Sequence, residues 1–290
     1  MSLKKRLSAG EFIVLAEMNT PKGVNISKMI LDSRRIKGRV DALVIPDMDN
    51  GVMRMSALAG GGLMHQQGLE VAAHVYCRDR NRFALQGDIL AAHVLGIQNL
   101  IVVHGEEMSL GDHRDAKPVN DLDEIGLLEV IGSLQEGKDM AGFDLDGRPD
   151  FTTGCTIASY KDDKEMDDEL ALTARKVEAG ARFVITPPVF DVDRFSKFSE
   201  KAKGLGVPII PTVFLIKSVA VARYIASNEP GANLSEDLIK RIRKASDREM
   251  EGIKIAGETV AALKQFAQGA KIQTFGWEHR LPAILDAAGL

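Results

Sequence analysis

The stretch LEVAAHVYCRDRNRFALQGDILAAHVLGIQNLIVVHG, residues 69–105, holds one complete unit of the fold. An apolar run of strand length (69–77) gives way to an amphipathic run from about Arg80 to Leu95. A glycine at 96 and a second apolar run (99–105) follow. Strand, helix, glycine stop and strand again make a parallel β-α-β unit. Neither strand alternates cleanly between apolar and polar residues, as expected of a parallel sheet covered on both faces. In the helix, Phe83, Leu90 and Val94 fall on one stripe, which predicts its inward face. The junction CRDRNR (77–82) is unusual, because four charges and an amide crowd the turn between a buried strand and its helix. Arg78 is expected to face a cleft there, and Asp79 is placed to cap the helix.

The same unit recurs along the chain. Further strands are expected at 11–18 (EFIVLAEM), 40–46, 151–158, 181–187, 208–214 and 271–276. Helical patterns run over 123–134, 167–179, 192–203, 235–245 and 250–268, and Gly38, Gly68, Gly96, Gly180 and Gly206 each close a helical run before a strand. Eight strands alternating with helices in 290 residues predict a single-domain (β/α)8 TIM barrel over residues 1–290. An open doubly wound sheet is the alternative. It would more often place a glycine-rich dinucleotide fingerprint after the first strand, where this chain has NTPKG. The glycines of AGGG (59–62) lie in a helical run without the lysine and hydroxyl of a phosphate loop, so they are expected to serve close helix packing. The polar stretch GEEMSLGDHRDAKPVN (105–120) is long for a loop in a compact domain, which marks it as functional.

Composition narrows the classes. The chain is 45% hydrophobic and 27% charged with a formal net charge of −4, and no Lys/Arg cluster dominates a face, so no nucleic-acid partner is expected. The start MSLKKRLSAGEF has no apolar core and no run of eighteen apolar residues follows, so no membrane partner is expected and the chain reads as cytoplasmic. Two cysteines, Cys77 and Cys155, cannot build a disulfide framework, a four-cysteine zinc site or an iron–sulfur cluster within the chain; they read as buried thiols, and no metal is expected. The acidic run KDDKEMDDE (161–169) reads as a solvated lead-in to a helix N-terminus, where carboxylates favour the dipole.

A barrel gathers its active site at the C-terminal ends of its strands. Those ends supply Glu17, Pro46-Asp47, His74, Tyr76, Arg78, His104, Gly105, Glu106, Thr156, Thr186-Pro187 and Phe214. Acids and imidazoles from different strands suit general acid chemistry beside a bound cofactor. Glu17 in an apolar strand is either catalytic or half of a structural ion pair, since a buried carboxylate is costly unless paired. His74 by itself reads as a core histidine, and His65 and His93 within helical runs read as structural.

The block HVYCRDRNRFALQGDILAAHVLGIQNLIVVHGEE (74–107) resembles the methylenetetrahydrofolate reductases. LSAGEFIVLAEMNTPKG (7–23), DAKPVNDLDEIGLL (115–128), EGKDMAG (136–142), ARKVEAGARFVITPPVFD (174–191) and GWEHRL (276–281) extend the likeness over nearly the whole chain. The resemblance implies a barrel holding a flavin, FAD or alternatively FMN, at its strand ends. It implies reduction of 5,10-methylenetetrahydrofolate to 5-methyltetrahydrofolate. It implies NAD(P)H or an electron-donating partner subunit as electron source, and a homo-oligomer or hetero-complex. Glu17 takes the place of the family's general acid, which must hold a proton near neutrality, so burial among Leu15, Met18 and the barrel wall is expected to raise its pKa. His74, His104, Gly105 and Glu106 match flavin-contacting positions, with Glu106 where the family has Asp and a second catalytic role implied for that acid. Lys176 matches a lysine that meets the flavin phosphates, and Arg78 is grouped with these cofactor contacts.

The likeness frays on the substrate side. The family's strand-six Thr-Gln is Thr186-Pro187 here, and proline offers no side-chain donor or acceptor. An aromatic after strand seven is replaced near Val219, a tyrosine after strand five by Ala158, and a double proline after the acid by Thr20-Pro21. Alternative readings are therefore a paralogue acting on another pterin or in corrinoid/folate methyl transfer, and a non-catalytic subunit of a one-carbon complex.

Overall fold

A computed structural model describes residues 2–229 and 231–290. Eight parallel strands close into a barrel in chain order: β1 (Ile13–Glu17), β2 (Ala42–Ile45), β3 (Val71–Tyr76), β4 (Asn99–Val103), β5 (Thr152–Thr156), β6 (Val184–Pro188), β7 (Ile209–Phe214) and β8 (Gly269–Gln273). β8 pairs with β1 in parallel, Leu15 beside Lys271 and Ala16 beside Ile272, which completes the ring. The predicted (β/α)8 barrel is the observed fold. Among the described residues no helix is long and apolar enough to cross a membrane.

Strand parity sorts the side chains. Ile13, Leu15, Val44, Ala72, Tyr76, Ile101, Phe183, Ile185 and Ile210 form the apolar cluster inside the barrel. The intervening residues, such as Val14, Ala16, Leu43, Ala73 and Leu100, join the larger core beneath the helices. The first helix, α1 (Leu3–Ala9), adds fully buried Leu3 to the interior cluster, and the Leu3 amide donates to Glu70, just before β3. This helix therefore covers the N-terminal end and leaves the C-terminal end for a site. Continuing each parity to its strand end puts Glu17, His74, Tyr76, Lys271 and Gln273 on the inward set.

The outer layer contains α2 (Ser27–Ile36), α3 (Ala57–Gln66), α4 (Arg82–Val94), α5 (Glu124–Gln135), α6 (Asp163–Glu178), α7 (Val192–Ala202), α8 (Val219–Asn228), α9 (Glu236–Lys244), α10 (Arg248–Leu263) and α11 (Leu281–Ala287). α6 begins four residues earlier than its apolar pattern suggests. Asp162 caps it, and the acids Asp163 and Glu165 in its first turn extend it into the predicted lead-in. The AGGG glycines pack as expected. A methyl at Gly61 would stand 2.7 Å from Ile97 Cδ1 and one at Gly60 2.5 Å from Thr20 Cγ2, so alanine at either would require those side chains to shift.

Two expectations on α4 are corrected. The helix is capped by Asn81, whose Oδ1 accepts from the Ala84 amide, and not by Asp79, which is taken by Arg78. The stripe Phe83–Val94 does not face the sheet: Phe83 is 85% and Val94 84% exposed, and the buried residues are Leu85, Ile89 and Ala92. Both sets have helical spacing, and the strand-to-helix turn decides which is inward. Leu85→Ala should therefore cost about 2–5 kcal/mol of stability, and Phe83→Ser less than about 0.5 kcal/mol. Urea denaturation of the two variants checks this, and the reverse order would restore the first assignment of the faces.

Candidate active site

The inward side chains at the strand ends are polar and few. Glu17, at the end of β1, is 3% exposed. Its Oε2 accepts from Lys271 Nζ at 2.8 Å and its Oε1 from Gln273 Nε2 at 2.8 Å. Lys271 and Gln273 stand two residues apart on β8 and so share a face. The sequence left Glu17 open between a catalytic acid and half of an ion pair; the structure supplies the ion-pair partner. Coulomb attraction across a weakly screened interior offsets the cost of burying both charges only while both are present.

β3 places His74 and Tyr76 next to this pair. Burial, then the charge of Lys271, pushes the His74 imidazole down to about 3, so it is neutral at physiological pH. Its Nδ1 lies 3.5 Å from the Tyr76 hydroxyl, at the outer limit of a hydrogen bond, and its buried Nε2 has no partner. Tyr76 Oη donates to Asp49 Oδ1 at 3.3 Å. Burial and the charges of Asp49, Glu106 and Glu17 push its phenol well above the ordinary value.

Asp49 lies in a loop after β2 with an unusual backbone: Met48, Asn50 and Gly51 all have positive φ, at 52°, 56° and 63°. Non-glycine residues adopt this region at a cost and persist there only when their surroundings hold them. Those holding contacts come from CRDRNR. Arg78 donates to the Met48 carbonyl at 3.0 Å, to the Glu106 carbonyl at 3.0 Å and to Glu106 Oε2 at 3.3 Å, and grips Asp79 through Nε and Nη2. Arg80 donates to Asp47 Oδ2 at 2.7 Å, and Arg82 grips Asp121. The crowded charges therefore tie the loops after β2 and β4 to the end of β3.

The long loop after β4 is part of the same construction. Asp112 bonds Lys22 and the Met53 amide, and the Asp112 amide donates to the Gly51 carbonyl. Gly111 and Gly51 meet so closely that any side chain on Gly111 would strike the Gly51 backbone. At the start of this loop Gly105 has φ 102°, and a Cβ there would come within 2.8 Å of Arg78 and 3.0 Å of Tyr76. Only glycine fits both the turn and the space.

A cavity of about 570 Å³ opens on the C-terminal side of this cluster. Its lining includes Asp49, Glu106 and Gln273 together with aromatic residues such as Tyr160, Phe190, Phe214 and Phe275, with Phe214 beside Gln273 across β7 and β8. Thr186, Pro187 and Pro188 form part of the wall, where the β6–β7 register slips between Ile185 and Pro188. Proline lacks the N–H that would continue the ladder.

The predicted residues are thus only partly brought together. Glu17, His74 and Glu106 converge; Gly105 shapes the turn between them. His104 is exposed at the rim. Arg78 is 2% exposed, with its guanidinium spent on the protein, so it does not face the cleft. Lys176 is also 2% exposed, its ammonium held by Glu124 at 2.7 Å and the Thr156 carbonyl at 2.9 Å, and it does not reach the cavity. Cys77 and Cys155 are buried, and burial pushes each thiol up to about 12, as inert core thiols should behave. Sequence reasoning missed Lys271, Gln273 and Asp49.

The chain belongs to the methylenetetrahydrofolate reductase family: the family model matches residues 2–289. It is 26% identical over 171 residues to the 5,10-methylenetetrahydrofolate reductase of Salmonella typhimurium, covering 57% of this chain and 50% of that protein. It is 25% identical over 171 residues to the enzyme of the same name from Escherichia coli, with the same coverage. The matched stretch spans about half the length of these relatives. Among solved structures, the EDTA monooxygenase of Chelativorans sp. BNC1 aligns at TM-score 0.55 and 11% identity, over 96% of this chain and 94% of that one. A 2,3-dimethylmalate lyase aligns at 0.55 and 11%, over 99% and 81%. These likenesses show the barrel and nothing finer.

The ion pair yields a prediction. Lys271→Met leaves a buried carboxylate without its cation and should cost about 3–5 kcal/mol. Adding Glu17→Gln should recover most of that loss in a chemical melt, whereas additive losses would show that the pair is not coupled.

Proposed function

We propose that this chain reduces 5,10-methylenetetrahydrofolate to 5-methyltetrahydrofolate with a flavin held in the mouth of the barrel, FAD in the first instance and FMN as the alternative. The carrying observation is a carboxyl cluster beside a cavity lined in part by aromatic residues at the C-terminal ends of the strands, in a chain of this family.

The residues present fit the ring of such a cofactor. Glu106 lies on the cavity wall and Gly105 lets the backbone turn close beside it, while the unpartnered Nε2 of His74 is buried behind that wall. The phosphates would need a contact other than Lys176, whose ammonium is already spent. When bound, the flavin supplies the hydride. The electrons reach it from NAD(P)H or from a partner protein.

The chain's own groups would do the rest. Tyr160, Phe214 and Phe275 would stack on the flat parts of a pterin and exclude water. The carboxylates Glu17 and Glu106 would stabilise the cationic iminium that forms when the folate's five-membered ring opens. That opening needs a proton on the leaving amine, supplied from the same acidic cluster. The amide of Gln273, on a cavity wall, would read the pterin in place of the side chain that Pro187 lacks.

A second reading has a specific observation behind it. Pro187 and Pro188 replace any amide on β6, which favours a paralogue acting on another pterin or moving a methyl group between folate and a corrinoid. Product analysis separates the two, because only the first yields 5-methyltetrahydrofolate at the expense of reduced flavin.

Purified protein supplied with FAD or FMN should show a bound flavin spectrum. Reduced anaerobically, it should be reoxidised on adding methylenetetrahydrofolate. In Glu17→Gln, flavin binding should persist while turnover falls at least about a hundredfold. Refusal of both flavins would remove the cofactor from the account, and reduced flavin that ignores the folate would remove the substrate.

A further inference from the structure

We propose that Lys217 is a specificity-determining residue of this cavity. Its ammonium receives a carboxylate on the tail of the substrate, so the site selects pterins that carry an anionic tail over those that do not. The inference rests on the proposed folate reduction for the identity of the ligand, and on the ends of β7 and β8 for the residue.

Two cations line the cavity among the described residues, Arg194 and Lys217. Arg194 is committed to the protein. Its guanidinium donates to the carbonyls of Tyr160, Lys161 and Gly231 and lies over the Tyr160 ring. Lys217 is half-buried and far less engaged. Among the described residues its ammonium donates to one carbonyl, that of Phe275, and stands 4.9 Å from the centre of the Trp277 ring. An ammonium has three donors, so two N–H groups remain for a ligand.

Its charge is also poorly compensated. Glu278 is the carboxylate whose field reaches Lys217, and both of its oxygens are taken, by Lys28 at 2.7 Å and by the Gly276 amide at 2.8 Å. In agreement, burial holds the Lys217 ammonium below the ordinary lysine value against the pull of Glu278, and Lys28 adds to the depression. The acids of the lining stand elsewhere. Asp49 and Glu106 follow β2 and β4, each three strands round the ring from β7. Asp191 caps α7, and Glu229 is at the far end of α8, about 15 Å along the helix from Ser218. α8 itself opens directly after Lys217 with no acid in its first turn, so its positive end adds to the attraction for an anion.

The wall is graded outward from the acids. Glu17 is buried at the end of β1, and Gln273 bonds to it. Phe214 stands beside Gln273 in the sheet, Phe275 follows Gln273 by two residues, and Lys217 follows Phe214 by three. Carboxylate, amide, aromatic pair and ammonium therefore succeed one another along β7 and β8. The two rings of the pair are 6.4 Å apart. A folate presents matching chemistry outward from its reacting carbon, first a benzoyl ring and then the carboxylates of its glutamate. The backbone keeps this order at a cost. Phe275 has φ 49°, where a bulky residue is an outlier, and the bond from Lys217 to its carbonyl is one contact that maintains it.

Calorimetric titration of the purified protein with 5-methyltetrahydrofolate, and with a 5-methyltetrahydropterin that lacks the p-aminobenzoylglutamate tail, tests the assignment. Wild type should bind the tailed ligand more tightly, with a preference that shrinks as salt is raised. Lys217→Met should reduce the ratio of the two affinities by about tenfold or more, and Lys217→Arg should restore most of it. A second probe needs no variant. Trp277 is the chain's one tryptophan and lies against Lys217. Its emission should respond to p-aminobenzoylglutamate and not to the corresponding diamide, which lacks the charge.

The proposal is overturned if Lys217→Met keeps the wild-type ratio, or if the acid and its diamide affect Trp277 alike. Should Lys217→Met fail to fold, the comparison of acid and diamide in wild type decides. A wild type that distinguishes acid from diamide but reduces no methylenetetrahydrofolate contradicts the proposed function and leaves Lys217 standing as an anion subsite. Reduction that proceeds while Lys217→Met keeps the wild-type ratio removes the subsite and leaves the function.

Discussion

A closed ring of parallel strands leaves room at its mouth for a few inward side chains, and this chain fills that room with more acids than cations. Glu17, Asp49 and Glu106 converge there, while Lys271 neutralises one of them and Arg78 is drawn off by Asp79. The excess negative charge is expensive in the absence of a ligand. It is well suited to a reaction whose intermediate is a cation and whose first step consumes a proton. Fold and chemistry meet in that imbalance: the barrel interior excludes the water that would screen it, and the cavity gives substrate access to it.

The arginine-rich turn that opens α4 holds the imbalance in place. Arg78, Arg80 and Arg82 each cross from the end of β3 to a neighbouring loop, reaching Met48 and Glu106, Asp47, and Asp121 respectively. A turn rich in cations need not touch a cofactor to be essential. By fixing Met48 and Glu106 together, Arg78 sets the distance between two acids that it does not itself neutralise fully. The glycine contact between Gly51 and Gly111 locks the same two loops from the outside.

The barrel was legible because its signal is local and repeated: eight apolar runs, helical runs between them and glycines at the joins. The orientation of α4 was not, since two apolar stripes compete on it and only the packed structure selects one. Glu17 was found by a simple rule, a charge inside an apolar strand. The same rule applied to KIQTFG finds Lys271, and period-two spacing adds Gln273. Their pairing with Glu17 could not be read, because it depends on closure of the ring between strands 254 residues apart. Asp49 had no pattern to betray it. It sits past a strand end, in a turn of left-handed residues, and its charged and polar neighbours come from β1, β3, β8 and the loop after β4. Lys176 failed as a cavity residue for a similar reason, since its partner Glu124 is 52 positions away on another helix.

Membership of the family is carried by the match over residues 2–289, whereas the wall proposed to meet substrate includes Pro187 and Pro188, which have no side-chain donor or acceptor. A crystal structure of the protein with 5-methyltetrahydrofolate tests the central claim most directly. The account predicts the pterin in the cavity between the β6 prolines and the acids, with Asp49 and Gln273 within hydrogen-bond reach of it. A pterin bound elsewhere, or a substrate-saturated active protein whose cavity holds no pterin, would contradict it.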